Sequence, residues 1–543
     1  MHFFVLRPLR WLLVVAAFLL SAGSLFAQAP AWQDAVSPGS GRGQSTAVDA
    51  AGNTYVTGSF TGTATFGATT LTSAGGGDIF VAKRTPGGVW EWATRAGGSG
   101  SEGGSDVAVD GSGGVVVTGA STSPTSTFGV TTLTGSGYGD IFVAKLTPTG
   151  AWLWATGAGG SGDEYGYSIV MDSSGSVVVT GGFSSPTIPF GATTLTNANA
   201  GSGDLFVAKL TSAGVWEWAT RAGGSGFEGG IDVAVDGSDS VVVTGEFTGP
   251  TSTFGLTTLL NAGVTDAFVA KLTPAGAWQW AIRVGGSGRD AGLGLAVDGS
   301  GSVVVSGYFA SPTIPFGATT LTGVGSADIF VAKLTPMGAW LWATGAGGSD
   351  FEGGQGVAVD GSGSVIVTGG FKSPTISFGA TTLTSAGNED MFVAKLTPAG
   401  AWQWATSAGG SGFDYGFGVG VNGSGSVMVT GTFDSPTIPF GATTLTNPSP
   451  GTPAIFLARL GGITGLPEGS DPAGLTLSPN PARTTVQLTG APGATATLLD
   501  GLGRVVGTAP VSPAGTATLD VRALPAGLYL LRAGGATRRL VVE

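Results

Sequence analysis

The sequence predicts an all-β protein, and three observations support this fold class. Of the 543 residues, 100 are glycine, and many of them separate short apolar runs that are rich in valine. Such runs, bounded by Gly and Asp, are typical of short strands joined by tight turns. After the first 30 residues no long segment shows the apolar period of an amphipathic helix. The third observation is a pattern that recurs along most of the chain.

The recurring pattern is [ILAM]F[VL]A[KR], and successive copies are 62 or 64 residues apart. A constant period of this length indicates a stacked or radial repeat architecture. The seven copies place their phenylalanine at Phe80, Phe142, Phe206, Phe268, Phe330, Phe392 and Phe456.

Each repeat contains two hairpin signals, which predict four strands that we name a, b, c and d. In DVAVDGSGGVVVTG (Asp106–Gly119), two valine-rich strands flank a turn of Asp, Gly and Ser. In DIFVAKLTPTGAWLWAT (Asp140–Thr156), a Thr-Pro-x-Gly turn joins two more. The valine run is apolar on both faces, as in a sheet covered on both sides. Seven such units predict a seven-bladed β-propeller over residues 30–462.

The two ends of the repeat region predict how the ring closes. The segment AWQDAV (Ala31–Val36) is a degenerate d strand in which Asp34 replaces the second Trp. The last unit ends at AIFLARL (Ala454–Leu460), a c strand with no d strand after it. The N-terminal strand would therefore complete the last blade and leave no open sheet edge. An open β-solenoid is the alternative, but it does not need such a phase shift.

Residues 1–29 have the pattern of a secretory signal peptide. Arg7 and Arg10 precede an apolar run from Trp11 to Leu20, and small residues follow it. We expect cleavage between Ala27 and Ala29. No other segment reaches membrane-spanning length, so no transmembrane segment is expected in the mature protein. Because the chain has no cysteine, disulfides and a cysteine-linked lipid anchor are excluded.

The charge distribution argues against nucleic acid as a partner. The net charge is −12, and between the signal peptide and Pro467 the sequence has 29 acidic against 14 basic residues. An acidic surface repels phosphate backbones, so this region is not expected to bind DNA or RNA. Solubility is the simpler explanation of the acidic excess.

The residue inventory excludes several kinds of catalysis. The only histidine is His2, inside the predicted signal peptide, so the mature chain would have neither His nor Cys. Ser-His-Asp and Cys-His catalysis and ordinary zinc sites are therefore excluded, and no cofactor is expected.

Carboxylates remain, and they recur in three sets of near-equivalents. Glycosidases need two carboxylates placed asymmetrically about one bond, whereas repeated acids are better explained by turns and strand starts. The set after strand d is Glu102, Glu164, Glu228, Asp290, Glu352 and Asp414. The set that opens strand c is Asp78, Asp140, Asp204, Asp266, Asp328 and Asp390. The set in the a–b turn is Asp49, Asp110, Asp172, Asp236, Asp298 and Asp360.

Calcium is the other interpretation of the acids in the a–b turn, because carboxylates and carbonyls are its ligands. The turn lacks the dense Asp and Asn spacing of an EF-hand loop, and no nonapeptide calcium repeat is present. The calcium candidates are Asp110, Asp172, Asp236, Asp298 and Asp360.

Other recurring residues have structural explanations, whereas variable ones mark a candidate ligand surface. The paired tryptophans at i and i+2, such as Trp90 and Trp92, share one strand face. They fit packing between blades better than a sugar-stacking platform. Just after VVVTG, in contrast, the repeats differ where their surroundings do not. Either these positions face solvent and are under no selection, or they line a ligand surface; the residues of that surface would be Glu246, Tyr308, Lys372 and Asp434.

The repeats resemble a β-propeller repeat family of bacterial secreted proteins. The resemblance rests on WEWATRAGGSG, VAVDGSGSVVVTG, FGATTLT and DIFVAKL, and it covers roughly Ala31 to Leu460. It implies the propeller fold and says almost nothing about activity.

After a Gly-, Pro- and Ser-containing linker at 463–474, residues 475–543 contain about seven short β patterns. They resemble the type A C-terminal sorting domain of the type IX secretion system. The resemblance rests on SPNPA, LLDGLGRVV and LPAGLYLLR. It implies a Bacteroidota-type cell, recognition by the secretion machinery, and removal of the tail outside the outer membrane. The residues that carry the sorting motifs are Pro479, Asn480, Pro481, Gly503, Arg504, Gly527 and Tyr529.

Taken together, the sequence predicts an exported propeller scaffold that acts as a secreted or outer-membrane-surface binding or adhesion protein. Surface glycans or proteins are the expected partners, and no enzymatic activity is expected. The alternative is a secreted carbohydrate-active enzyme that uses paired carboxylates. For the tail, the alternative is a permanent Ig-like β-sandwich with a binding role.

Overall fold

The computed structural model describes residues 28–199, 201–461, 475–478, 480, 482–499, 505–522, 524–525, 527–533 and 536–542. These residues form 48 β-strands, and no helix occurs among them. Within this part of the chain there is accordingly no helix with the length and apolarity needed to cross a membrane. The chain divides into two compact units, Met1–Gly462 and Ile463–Glu543. Most of the predicted signal peptide and the predicted linker lie outside the described residues.

Each repeat forms an antiparallel sheet in which strand a pairs with b, b with c, and c with d. The a strands are β2 (Gly39–Val48), β7 (Glu102–Val109), β13 (Glu164–Met171), β19 (Glu228–Val235), β25 (Asp290–Val297), β31 (Glu352–Val359) and β37 (Asp414–Val421). The b strands are β3 (Thr54–Phe66), β8 (Val115–Ser121), β14 (Val177–Phe183), β20 (Val241–Phe247), β26 (Val303–Phe309), β32 (Val365–Phe371) and β38 (Val427–Phe433).

The c and d strands form the second half of each sheet. The c strands are β5 (Asp78–Arg84), β11 (Asp140–Leu146), β17 (Asp204–Leu210), β23 (Asp266–Leu272), β29 (Asp328–Leu334), β35 (Asp390–Leu396) and β41 (Ala454–Leu460). The d strands of the first six repeats are β6 (Trp90–Ala96), β12 (Trp152–Ala158), β18 (Trp216–Gly224), β24 (Trp278–Val284), β30 (Trp340–Ala346) and β36 (Trp402–Ala408).

The prediction of four strands per repeat was incomplete, because the segment between strands b and c adds a short hairpin. In its two-residue turn a glycine has positive φ, for example 60° at Gly129, as tight hairpins require. In the first repeat, β4 (Thr69–Thr72) pairs with the end of β3. The other pairs are β9 (Thr125–Phe128) with β10 (Thr131–Thr134), β15 (Thr187–Phe190) with β16 (Thr193–Thr196), β21 (Thr251–Phe254) with β22 (Thr257–Leu260), β27 (Thr313–Phe316) with β28 (Thr319–Thr322), β33 (Thr375–Phe378) with β34 (Thr381–Thr384), and β39 (Thr437–Phe440) with β40 (Thr443–Thr446).

Strands b and c bury both faces, and alternate residues pack against different repeats. In β14, Val177 and Val179 belong to a core shared with the second repeat, whereas Val178 belongs to one shared with the fourth. All three valines are almost completely buried. This alternation follows from the two-residue period of a strand. Each sheet therefore depends on a neighbouring sheet on both sides.

The first strand, β1 (Trp32–Val36), pairs antiparallel with β41 of the seventh repeat. The ring of Trp32 meets that of Phe440 edge-on, with a centroid distance of 4.8 Å. The first tryptophan of the other d strands meets its hairpin phenylalanine in the same way, as Trp216 meets Phe190 at 4.8 Å. Thus β1 occupies the position of a d strand in the seventh repeat.

A core also joins the last repeat to the first. Met428, Ile455 and Leu457 of the seventh repeat pack in one buried cluster with Val56 and Phe60 of the first. The first and last repeats are therefore in direct apolar contact.

The C-terminal unit consists of two sheets that share one apolar core, in which Val486, Leu498 and Leu540 are almost completely buried. One sheet contains β42 (Thr476–Ser478), β43 (Thr485–Thr489) and β46 (Thr516–Asp520). The other contains β45 (Val505–Pro510), β44 (Thr495–Leu499), β47 (Gly527–Ala533) and β48 (Ala536–Val542).

Asp34 joins three strands through ion pairs, and we predict that its removal destabilises the repeat region. Its carboxylate lies 2.7 Å from Arg84 Nη1 of the first repeat and 2.8 Å from Arg459 Nη2 of the seventh. In Asp34→Ala, two largely buried guanidinium groups lose their shared counter-charge. The free energy of unfolding should fall by about 1–3 kcal/mol, as chemical denaturation would measure. The control is Glu91→Ala, because the Glu91 side chain is 42% exposed and its single ion pair with Lys83 should contribute below about 1 kcal/mol. Equal effects of the two variants would contradict this prediction.

Candidate functional site

The a strands line a cavity of about 400 Å³, to which all seven repeats contribute residues. Each a strand has a bulge, where one extra residue interrupts its pairing with strand b. Bulges change the direction of a side chain, and here the extra residue lines the cavity. The extra residues differ between repeats: Gln44, Ser105, Tyr167, Ile231, Leu293, Gln355 and Phe417.

In this cavity wall, the Asp106 carboxylate links three repeats. It accepts hydrogen bonds from Ser45 Oγ of the first repeat and from Val107 N at 2.8 Å. From the third repeat, Ser168 Oγ and Ile169 N each donate at 2.8 Å. Because all its acceptor directions are occupied, Asp106 serves as a link between strands.

Ser168 also contacts a second carboxyl group, that of Asp232, with 2.6 Å between Oγ and Oδ1. A hydroxyl has one hydrogen, so it cannot donate to Asp106 and Asp232 together. The second short contact therefore requires a proton on one of the carboxyl groups. Burial raises the pKa of Asp232 to about 7, and the charge of Asp106 adds to the rise. Burial also raises the pKa of Asp106. The two carboxyl groups thus share one additional proton below about pH 7.

On the other side of the cavity, the a strands have glycine at the positions equivalent to Asp106 and Asp232. A Cβ on Gly294 would lie 2.3 Å from the carbonyl oxygen of Gln355, and one on Gly418 would lie 2.7 Å from Thr46 N. The a strands here meet through their backbones, whereas Asp106 and Asp232 connect them through side chains. The wall of the cavity is therefore chemically asymmetric.

Of the four residues predicted as a ligand surface, Glu246 and Tyr308 are the next-to-last residues of strand b in their repeats. Lys372 and Asp434 directly follow strand b in the next two repeats, at the same edge where strands a and c begin. Glu246, Tyr308 and Asp434 are half-buried, and Lys372 is exposed. Burial raises the pKa of Glu246, and the nearby charge of Arg289 opposes this rise. Burial also raises the pKa of Tyr308, with a contribution from Glu246. Glu246, Arg289 and Tyr308 are thus neighbours. Among the described residues, neither Glu246 nor Arg289 has a side-chain hydrogen bond or ion pair.

Aromatic rings continue this group into the sixth and seventh repeats. The Tyr308 and Phe351 ring centroids are 5.3 Å apart. Lys372 Nζ lies 5.9 Å from the ring centroids of both Phe351 and Phe413. Asp434 accepts a hydrogen bond from the backbone N–H of Phe413 and so orients it. We call the contiguous surface the edge patch, which consists of Glu246, Arg289, Tyr308, Phe351, Lys372 and Phe413.

A nearly buried acid, Glu389, lies next to the edge patch. It is 8% exposed, and its carboxyl group has no hydrogen-bond partner among the described residues. Burial raises its pKa to about 7, and the charge of Lys372 opposes this rise. A Cβ on Gly370 would lie 2.8 Å from Glu389 Oε1 and 2.3 Å from the ring of Tyr415. Gln355, which lines the cavity, donates to Tyr415 Oη at 3.4 Å. The edge patch therefore extends toward the cavity.

The calcium candidates in the a–b turns are engaged with lysines of strand c. In each turn one carboxylate oxygen accepts nearby backbone N–H groups, as Asp236 Oδ1 does from Ser238 and Ser240. The other oxygen faces the lysine ammonium. The pairs are Asp110 with Lys145 at 3.7 Å, Asp172 with Lys209 at 2.7 Å, Asp236 with Lys271 at 2.7 Å, Asp298 with Lys333 at 2.7 Å, and Asp360 with Lys395 at 2.6 Å. The described residues contain no group of three or more potential metal-ligating side chains.

The other two carboxylate sets hold loops in place. Glu352 accepts a hydrogen bond from Gly348 N at 2.8 Å and one from Ser373 Oγ. Asp204, at the start of a c strand, accepts from Ala198 N and from Arg221 Nη1, each at 2.8 Å. These contacts stabilise the loops at the edge of each sheet.

The paired tryptophans pack between repeats. Trp92 Nε1 donates to the carbonyl oxygen of Pro148 in the next repeat at 3.0 Å. A Cβ on Gly150 would lie 2.6 Å from its ring, so this glycine is required for the contact. The rings therefore belong to the interface between repeats.

Three of the predicted sorting residues lie in the described part of the C-terminal unit. Asn480 Oδ1 accepts a hydrogen bond from Val541 N at 2.9 Å. Tyr529 is buried, and its hydroxyl donates to the carbonyl oxygen of Pro525 at 2.8 Å. Gly527 pairs with Val542 in the last hairpin. Pro479, Pro481, Gly503 and Arg504 lie outside the described residues.

Sequence reasoning missed Arg289, Phe351, Phe413 and Glu389. The first three occupy the variable position of GGSGxE, and Glu389 directly precedes a c strand. Variation inside these otherwise constant motifs is the signal that would have found them. Their proximity to Glu246 and Tyr308 is decided by the strand pairing, which brings these positions to one edge.

We expect the carboxyl group of Glu228 to make the free energy of unfolding depend on pH. Its equivalents receive a serine hydroxyl, but the fourth repeat has Gly249 at that position, and one oxygen of Glu228 is buried without a partner. Burial raises the pKa of Glu228 to about 8, and the Asp204 charge contributes. The folded chain then keeps a proton that the unfolded chain loses near its ordinary pKa of 4.5. Stability therefore falls as the pH rises between these two values.

We predict that Glu228→Gln removes this part of the pH dependence, because an amide does not ionise. Relative to the unmodified protein, its free energy of unfolding should rise by about 2–4 kcal/mol from pH 5 to pH 8. The control is Glu102→Gln at the equivalent position, where Ser123 Oγ donates to the carboxylate. That variant should be less stable at pH 8, because Gly98 N and Ser123 Oγ each donate to a different carboxylate oxygen, and the amide NH2 group that replaces one of these oxygens cannot accept a hydrogen bond. Parallel stability curves for Glu228→Gln and the unmodified protein would contradict the assignment.

Comparisons with known proteins extend to both units. An uncharacterized WD repeat-containing protein of Acanthamoeba polyphaga mimivirus is 28% identical over 417 residues, which are 62% of this chain. The aligned region spans only 30% of that relative. The WD40 domain of Neurospora crassa Pan2 aligns with 79% of this chain and 97% of its own, at 10% identity and a TM-score of 0.37. A protein of unknown function from Dyadobacter fermentans aligns with 65% of this chain and 93% of its own, at 11% identity and a TM-score of 0.35.

The C-terminal unit matches a family, the Secretion system C-terminal sorting domain, over residues 476–543. This match confirms the resemblance of the tail to the sorting domain of the type IX secretion system, which Bacteroidota use. The chain therefore consists of all-β repeats followed by a unit that matches this sorting domain, and the match indicates export to the cell surface or the medium by the type IX secretion system.

Proposed function

We propose that this protein is an exported binding scaffold whose seven repeats close into a β-propeller. The family match of residues 476–543 supports export. The observation that carries the binding role is the edge patch, where near-identical repeats differ and where charged groups have no partners. A structural repeat has no need of such groups, because buried or half-buried polar groups without partners cost stability. Attachment to a surface glycan or protein is the role we assign.

Closure into seven blades is part of this proposal. Three observations support it: β1 pairs with β41, a core joins the seventh repeat to the first, and all seven a strands line one cavity. A ring of this kind has no unpaired sheet edge at its junction. It also holds the edge patch on a rigid frame, which lowers the entropic cost of binding.

The remaining parts of the proposal concern processing and activity. Residues 1–29 act as a signal peptide, and the tail is an Ig-like sandwich that is removed after export. We assign no enzymatic activity to the mature protein, because it would contain no His or Cys and its carboxylates recur as near-equivalents. Release of new reducing ends from a bound polysaccharide would overturn the non-enzymatic assignment.

We predict that deletion of residues 28–36 opens the ring. The seventh repeat would lose its fourth strand, and β41 would expose an unpaired edge that invites aggregation. Differential scanning fluorimetry should show a lower melting temperature, and light scattering should show oligomers. The control is Gln33→Ala, which changes an exposed side chain of the same strand. An unchanged melting temperature and a monomeric state in the deletion variant would exclude the closed ring.

We predict that Leu475–Glu543 directs export without being needed for folding of the repeats. Its deletion should leave a folded repeat region in the periplasm, because the two units have separate cores. Fusion of this segment to an unrelated domain with a signal peptide should carry that domain outside the cell. The control is the same domain with the signal peptide alone, which should remain in the periplasm. Intact-mass measurement should also show that the extracellular protein lacks the tail, and finding the full-length chain outside would support a permanent domain instead.

A further inference from the structure

We propose that the edge patch is a binding site for an uncharged oligosaccharide of hexose units. This inference rests on the proposed binding function and names its ligand. It begins from a contrast between acids that lie along the same edge of the repeats. Around the rest of the edge, carboxylates such as Glu352 accept hydrogen bonds from loop N–H groups and serine hydroxyls. In and beside the edge patch, Glu246 and Glu389 have no such partners among the described residues.

Of these two acids, Glu389 is the stronger case, because its side chain is nearly buried. A largely buried carboxyl group without a protein hydrogen bond depends on water or on a ligand to supply one. Gly370 leaves the space in which Glu389 Oε1 and the Tyr415 ring approach the strand. The fold therefore keeps an unpaired acceptor next to the exposed ammonium of Lys372.

The unpaired groups are balanced in charge and opposite in hydrogen-bonding role. Glu246 and Glu389 accept hydrogen bonds, whereas Arg289 and Lys372 donate them. Sugar hydroxyls both donate and accept hydrogen bonds, so one sugar chain can bind the two acids and the two cations together. Two acids facing two cations give no net preference for a charged ligand, and this balance favours an uncharged sugar.

The aromatic residues supply the apolar contact that a sugar ring needs. Phe413 is 48% exposed, and Phe351 and Tyr308 are partly accessible beside it. The C–H face of a hexose packs against such rings, while its hydroxyls point outward. A folded peptide partner would instead need an unpaired strand edge or an apolar groove. These residues lie at strand ends, where the ladder is already paired.

Lys372 and Asp434 position the rings. Lys372 Nζ lies between Phe351 and Phe413, 5.9 Å from each centroid, and Asp434 anchors the backbone of Phe413. Cation–π contacts of this kind hold exposed rings in one orientation. The site is therefore partly pre-organised before the ligand arrives.

The test uses residues 28–543 and an array of neutral hexaoses of glucose, mannose and galactose, followed by isothermal titration with the hexaose that binds. We expect binding of a neutral hexaose that persists at 0.5 M salt, since no net charge is involved. Phe413→Ala should weaken binding about tenfold, equivalent to about 1.4 kcal/mol. The double variant Phe351→Ala/Phe413→Ala should weaken it about a hundredfold or more.

Matched controls occupy the same positions in other repeats. Ser101→Ala corresponds to Phe413→Ala, and Asp163→Ala corresponds to the Phe351→Ala change of the double variant. Both should bind the hexaose like the unmodified protein, and all variants should keep its melting temperature within a few degrees. Equal loss of binding in a control and in its patch variant would overturn the location of the site.

Two other outcomes would overturn the ligand class. Binding only to acidic polysaccharides such as alginate or pectin, with loss at high salt, would contradict an uncharged ligand. Binding only to a protein or peptide through the edge patch would also exclude the sugar assignment, yet it would leave the proposed binding function standing. If no ligand binds on glycan arrays or on surface-protein arrays, both the sugar assignment and the proposed binding function would be wrong.

Discussion

Strands b and c of every repeat bury both faces, and this constraint governs the rest of the structure. In β14, Val177 and Val179 face one neighbour while Val178 faces the other. A single sheet of this kind would expose an apolar face on each side, so it is stable only between two others. Without a contact between them, the first and last repeats would each expose one apolar face. The core that joins Met428 and Leu457 to Val56 covers both of these faces.

The sheet of the last repeat also needs a partner for its edge strand β41, and β1 provides it in the position of a d strand. Trp32 repeats the edge-on contact with a hairpin phenylalanine that other repeats make. Asp34 replaces the second tryptophan and instead pairs with Arg84 and Arg459. A charged contact at this junction is directional, so it favours one register of β1 on β41. Apolar packing alone would discriminate less well between registers.

The hydrogen-bonded carboxylates show how a repeated sequence accommodates individual differences. Most acids at the sheet edge hold loops, and the a–b turn acids face lysines. Where a serine partner is missing, burial raises the pKa of the acid, as at Glu228 beside Gly249. Single buried carboxylate oxygens without a partner recur at the starts of the c strands, as in Asp204 and Asp390. In Glu246 and Glu389, in contrast, neither oxygen has a hydrogen bond among the described residues. The extensive interfaces between repeats offset this local cost.

The sequence by itself determined the repeat period, the four main strands, the displaced first strand and the sorting tail, since these depend on local patterns and spacing. It did not reveal the hairpin between strands b and c, because its four-residue strands carry too little pattern. It selected Glu246, Tyr308, Lys372 and Asp434 by their variation, but it missed Arg289, Phe351, Phe413 and Glu389. Only the tertiary structure decided that these residues form one surface, because strands a, b and c of successive repeats meet at one edge. The burial that raises the pKa of Glu389 likewise arises only in the folded structure, where Glu389 Oε1 lies beside Gly370 of the neighbouring strand.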